Sequence, residues 1–282
     1  MKPAPLLAAL ALLAAFLTAW PAAAQTSQAV NDFVESYAAP TAGLGKIARW
    51  ENPICPLVVG LPPNFTKFIT DRVRKVASQA GAPVSTDAGC KANIEIAFTA
   101  KPQALMDGIR EKNPVYLGYY DTTAQAENLA KVTQPIQAWY TTETRDERGQ
   151  SQVDSRNNQI GAANRTGNAN SSSGSRVGDD MRSAFYHVMI VADPGKLGDH
   201  EMGAIADAVA MLSLSQPATQ TACHKLPSIA NLATAGCGTP LTAMSKSDSG
   251  YLTGLYKFNA GSSLNAQKNA IAFEIRNALS AP

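Results

Sequence analysis

Charge is sparse in this chain: Asp, Glu, Lys and Arg make up 16% of its 282 residues, with 24 basic and 22 acidic side chains. A net charge of +2 excludes the strongly basic surface by which proteins hold nucleic acid or an anionic membrane. Histidine is scarcer still. There are three, His187, His200 and His224, and no two have the spacing of a zinc-binding helix pair. No C-x-x-C occurs, which removes the common zinc–thiolate and dithiol redox motifs. G-x-S-x-G and G-x-x-x-x-G-K-[ST] are missing as well, so the chain spells neither a nucleophile elbow nor a phosphate loop. Gly43-Leu44-Gly45-Lys46 faintly imitates a dinucleotide fingerprint but has no strand before it.

What is present points first to a compartment. Lys2, the apolar run Leu6–Trp20 and the small residues Ala22-Ala23-Ala24 read as a secretory signal over residues 1–24. The run is shorter than the roughly 20 residues a spanning helix needs, so cleavage before Gln25 is expected over retention as an anchor. No later segment is apolar for long enough to span. Four cysteines behind a signal, Cys55, Cys90, Cys223 and Cys237, imply two disulfides with three possible pairings. The sequence-local pairing, Cys55–Cys90 and Cys223–Cys237, is expected. The protein is therefore read as periplasmic or extracellular.

The organisation expected is an α/β (α+β) single domain over residues 46–282, after a 25–45 N-terminal segment and linker. A short helix is expected over Gln28–Tyr37. Ile54–Gly60 reads as a buried strand and Phe65–Gln79 as a helix, with Phe65, Phe68, Ile69, Val73 and Val76 on its apolar face and Arg72 outward. Ala92–Thr99 alternates as a strand, with Ile94, Ile96 and Phe98 on one side and Asn93, Glu95 and Ala97 on the other. Further strands are expected near Val115–Tyr120, Thr133–Thr144 and Ser183–Val191, giving a mixed sheet with packed helices. Residues of about 146–178, dense in Asn, Ser and Gly, read as a polar flexible insertion, with a long hairpin arm as the alternative.

The residues nearest to chemistry lie at Asp199-His200-Glu201-Met202-Gly203-Ala204, which begins like H-E-x-x-H but places Ala204 where the second histidine belongs. His200 and Glu201 are equally explained as the polar start of an apolar helix, with Asp199 as its cap. Asp207 is an acid inside that apolar run. It is read as a hydroxyl-bonded or partly exposed side chain, or as the remnant of a site. Asp207, Glu201 and His200 are thus the weak catalytic candidates, and no metal ligand set or cofactor is expected. Trp50, Tyr119, Tyr120, Trp139 and Tyr140 could line a groove, though aromatics in strands more often pack in a core.

The order of parts from Leu197 onwards carries a resemblance. After the apolar helix, Leu226-Pro227-Ser228-Ile229 is similar to the turn that follows a metzincin's catalytic helix, without its methionine. Tyr251-Leu252-Thr253-Gly254-Leu255-Tyr256 and a last helix with Gln267 and Ala270-Ile271-Ala272 look like the end of such a domain. The same ending, with Gly60-Leu61-Pro62-Pro63 and Pro102-Gln103-Ala104-Leu105, resembles secreted proteobacterial proteins classed as domains of unknown function. The resemblance implies a zincin-like scaffold and carries no catalytic residue across. The expected function is that of a non-catalytic binding protein with a protein or envelope ligand, against the alternative of a peptidase-like hydrolase with a non-standard site.

Overall fold

The computed structural model describes residues 20–146, 148–155, 181–238 and 241–281. Most of the expected signal, and the polar insertion from residue 156 onward, lie outside the described residues. Five strands form one mixed sheet: β1 (Pro56–Val59), β2 (Ile94–Phe98), β3 (Ile136–Arg145), β4 (Ser151–Val153) and β5 (Arg182–Ala192), in the order β1-β2-β5-β3-β4. β1, β2 and β5 run parallel, while β3 is antiparallel to both β5 and β4. The α+β class is as the sequence pattern indicated.

The alternation along each strand divides the interior into two cores. Val58, Ile94, Ile96, Phe98, Val188 and Ile190 face the larger one. It is filled from α1 (Trp20–Tyr37), α2 (Pro63–Ala80), α6 (Met202–Leu214), α7 (Lys246–Lys257) and α8 (Leu264–Ser280). Trp139, Met189 and Val191 face the other way, under α3 (Pro102–Lys112), a 3-10 turn at Pro114–Leu117 and α4 (Thr123–Leu129). A short α5 (Pro194–Leu197) leads from β5 towards α6. α6 is buried on every side from Ala204 to Leu214, which is what its all-round apolar sequence requires of a helix between layers.

The first described helix belongs to the domain: Val30, Phe33 and Tyr37 are fully buried in the larger core. The expected cleavage site falls within its first turns. α7 lies unusually close to α8, because a side chain on Gly250 or Gly254 would sit 2.7 Å from the Ile275 Cα or 2.6 Å from the Ile271 Cα. The opening of the polar insertion is a hairpin, with β4 paired to β3 around a turn in which the Asp146 N–H donates to the Gln150 carbonyl.

Three expectations are corrected. Val115–Tyr120 is not a strand: Pro114 opens a 3-10 turn, and Gly118, at φ 87°, ends it against the backbone of Tyr140. Phe65 and Phe68 are 38% and 46% exposed, because α2 buries only the stripe through Ile69, Val73 and Val76. Arg72 does not simply point outward but reaches across to α6.

Candidate functional site

The histidine, glutamate and aspartate of the broken zinc motif do not form a site. His200 and Glu201 are exposed at the start of α6. Glu201, rather than Asp199, occupies the cap position, and it makes no side-chain capping bond. Asp207 is 2% exposed, not partly exposed, and its donors are a guanidinium and a backbone amide rather than a hydroxyl. Arg72 grips both of its oxygens through Nε and Nη2, and the Met244 N–H donates to Oδ2 at 2.9 Å. A carboxylate with its oxygens occupied by three donors is a structural clamp between α2, α6 and the approach to α7.

The other histidines stand apart. His224 lies under α1, stacked on Tyr37 with ring centroids 4.7 Å apart, and its Nδ1 is 3.0 Å from the Ser36 hydroxyl. His187 is on the opposite face of the sheet. Among the described residues no three His, Cys, Asp or Glu side chains are grouped to hold a metal ion. The cysteines form disulfides Cys55–Cys90 and Cys223–Cys237. The first joins the start of β1 to the approach to β2; the second braces the loop after α6.

The five aromatics do not line one groove. Trp50 is buried and donates its indole N–H to the Ser213 carbonyl at 2.8 Å. Tyr119, Trp139 and Tyr140 border a cleft of about 260 Å³. Trp139 and Tyr140, however, direct their polar ends inward, to the carbonyls of Leu129 and Leu212. Their role is core packing with the hydrogen bonds satisfied.

The unusual chemistry is at a β-bulge. Thr141 of β3 pairs with His187, but Thr142 pairs with Phe185, so Tyr186 is an extra residue on β5. Phe185 enters the larger core, while His187 lies among the side chains of the opposite face. A bulge re-aims side chains in this way. Here it leaves Tyr186 44% exposed beside a histidine that is 4% exposed.

Neither ring nitrogen of His187 has a hydrogen-bond partner. Its Nε2 is 3.5 Å from Glu95 Oε1, just short of a formed bond, and Tyr116 from the 3-10 turn stacks on the ring at 4.2 Å. Burial lowers the pKa of His187, and the Glu95 carboxylate opposes that shift without reversing it. Burial also raises the Tyr116 phenol, helped by Glu95 and Tyr186 nearby. A buried polar group left unpaired costs about 1–3 kcal/mol, so two on one imidazole need a reason.

The neighbouring surface is open. Glu95 of β2 stands opposite Leu57 of β1, and Ala97 opposite Val59. Leu57 and Val59 are each 48% exposed, because the outer layer covers β5 and β3 but not the β1 edge. Sequence alternation places Glu95 on this face but carries no sign of the bulge. The only available signal is the Phe185-Tyr186-His187 run, three rings where an alternating strand would bury every second one.

No family model, curated protein or solved structure matches the chain. Two disulfides, and no helix among the described residues long and apolar enough to cross a membrane, are compatible with an extracellular or periplasmic location.

Proposed function

We infer that this is a non-catalytic binding protein of the periplasm or the extracellular space, delivered by a cleaved signal. Its ligand face is the outer sheet surface at the β5 bulge. The observation that carries this reading is His187, nearly fully buried with both ring nitrogens unpaired, at the margin of an exposed surface formed by Glu95, Tyr186, Leu57 and Val59. Protein interiors rarely keep such a group without a use for it. A zincin-like ancestry for the scaffold is supported by the order of its parts: a buried helix, a disulfide-braced loop and two closing helices. The binding role does not depend on that ancestry.

Affinity capture from the native envelope tests the reading, using the mature chain beside a Glu95→Gln/Tyr186→Ser variant. Both changes are at partly exposed side chains, so the variant keeps its melting temperature. The reading expects a ligand retained by the wild type and lost by the variant. Equal retention by both would refute it.

A further inference from the structure

Glu95 has a feature that narrows the ligand. Among the described residues it has no lysine or arginine partner; its only ionic neighbour is the His187 ring at 3.5 Å, whose pKa burial holds down. The carboxylate therefore faces its surroundings with its charge uncompensated. Its side chain is 36% exposed, so a ligand can reach it. Tyr116 stacks on the same His187 ring and feels both Glu95 and the exposed Tyr186, and Leu57 stands directly opposite Glu95, with Val59 next along the same face.

We propose that this cluster binds a primary ammonium group carried on an alkyl chain. The ammonium donates to Glu95, the tyrosine rings surround the charge, and the chain lies along Leu57 and Val59. The proposal rests on the reading of the bulge as the ligand face and names what that face takes. Aromatic rings beside a carboxylate favour a desolvated cation twice over, through the ring quadrupole and the opposite charge. An anion would meet Glu95 unscreened. Among the described residues a zinc ion would find only His187 and Glu95 where it needs three or four ligands.

His187 is a positioning residue in this arrangement. A small turn of the Glu95 side chain lets neutral His187 donate its Nε2–H to one carboxylate oxygen, leaving the other for the ligand. Protonation of His187 places a positive charge beside Glu95 and competes with the cation. The charged and titratable groups facing His187 are Glu95 from β2 and Tyr116 from the 3-10 turn; Thr141 of β3 is neutral and is already donating to the Val115 carbonyl.

The test uses n-butylammonium as the probe, on the mature chain with both disulfides intact, read by calorimetry and by the ring NMR signals of His187. Saturable binding that shifts those signals is expected, weakened about tenfold by Glu95→Gln and several-fold by Tyr186→Ser. Affinity should also fall in the wild type as acid protonates His187, below the ordinary histidine range, and the fall should be smaller in His187→Gln. Tetramethylammonium, which has no N–H to donate, should bind more weakly than the probe. If butyrate or 1-butanol shifts His187 and butylammonium does not, the ligand class is wrong while the face stands. Zinc bound in preference to the ammonium, through His187, would also overturn the class. If no probe reaches His187, the ligand class and the face fail together.

Discussion

Arg72 of α2 and Asp207 of α6 are joined by two parallel hydrogen bonds, with the carboxylate 2% and the guanidinium 31% exposed. The asymmetry sets the direction of a prediction. Arg72→Met strands a charge in the interior, at a cost of about 3–5 kcal/mol, whereas Asp207→Ala leaves an arginine that can turn to water and costs less. Urea denaturation of the two variants gives the order. Capture of the ligand should survive in both under native conditions; its loss in Asp207→Ala with stability intact would restore Asp207 as a site residue.

Burial holds His224 at about 4, below the ordinary 6.5 of an exposed histidine. As pH falls, the unfolded chain takes up this proton before the folded one does. Stability present above pH 6.5 is lost between pH 6.5 and about 4, by roughly 3 kcal/mol if His224 acts alone. His187, also lowered by burial, works in the same sense, and Asp248, raised by burial, in the opposite one. The check is therefore a comparison: His224→Phe should have a flatter dependence of melting temperature on pH over that window than the wild type.

The two disulfides close loops of 35 and 14 residues' separation. On the chain-entropy account the longer contributes about 4 kcal/mol and the shorter about 3 kcal/mol. Replacing each pair by serine should lower the melting temperature, with Cys55/Cys90 the costlier pair. Thermal unfolding of the two variants decides the order.

Gly254 of α7 faces the Ile271 Cα of α8, where an added methyl would stand 2.6 Å away. Gly254→Ala should force the two helices apart and cost about 1–3 kcal/mol. Gly45→Ala tests a different cause, because nothing lies near its side-chain position and only its φ of 71° is unfavourable. A loss at Gly254 that is no greater than at Gly45 would contradict close helix packing as the reason for the glycine.

The parts of the fold legible in the sequence are those set by local periodicity. β2 alternates, and that alternation alone assigns Ile94, Ile96 and Phe98 to a core and Glu95 to the other face. α6 is apolar all round, so its burial follows. What is not legible depends on partners far away along the chain. Arg72 and Asp207 are 135 positions apart, and nothing near either residue announces the other. The bulge is a property of how β5 registers against β3, and the stack of Tyr116 on His187 needs a 3-10 turn where the apolar pattern suggests a strand. The attractive local motif, His200-Glu201, is a surface feature, whereas the site candidate comes from four separate segments.

The most direct test of the proposed ligand face maps amide signals of the isotopically labelled protein, free and in unlabelled native envelope extract. Perturbations centred on residues 93–97, 114–118 and 185–189, and absent in the Glu95→Gln/Tyr186→Ser variant, are the predicted result. Perturbations centred instead on His200 and the start of α6, or none at the bulge, would contradict the assignment of the binding face.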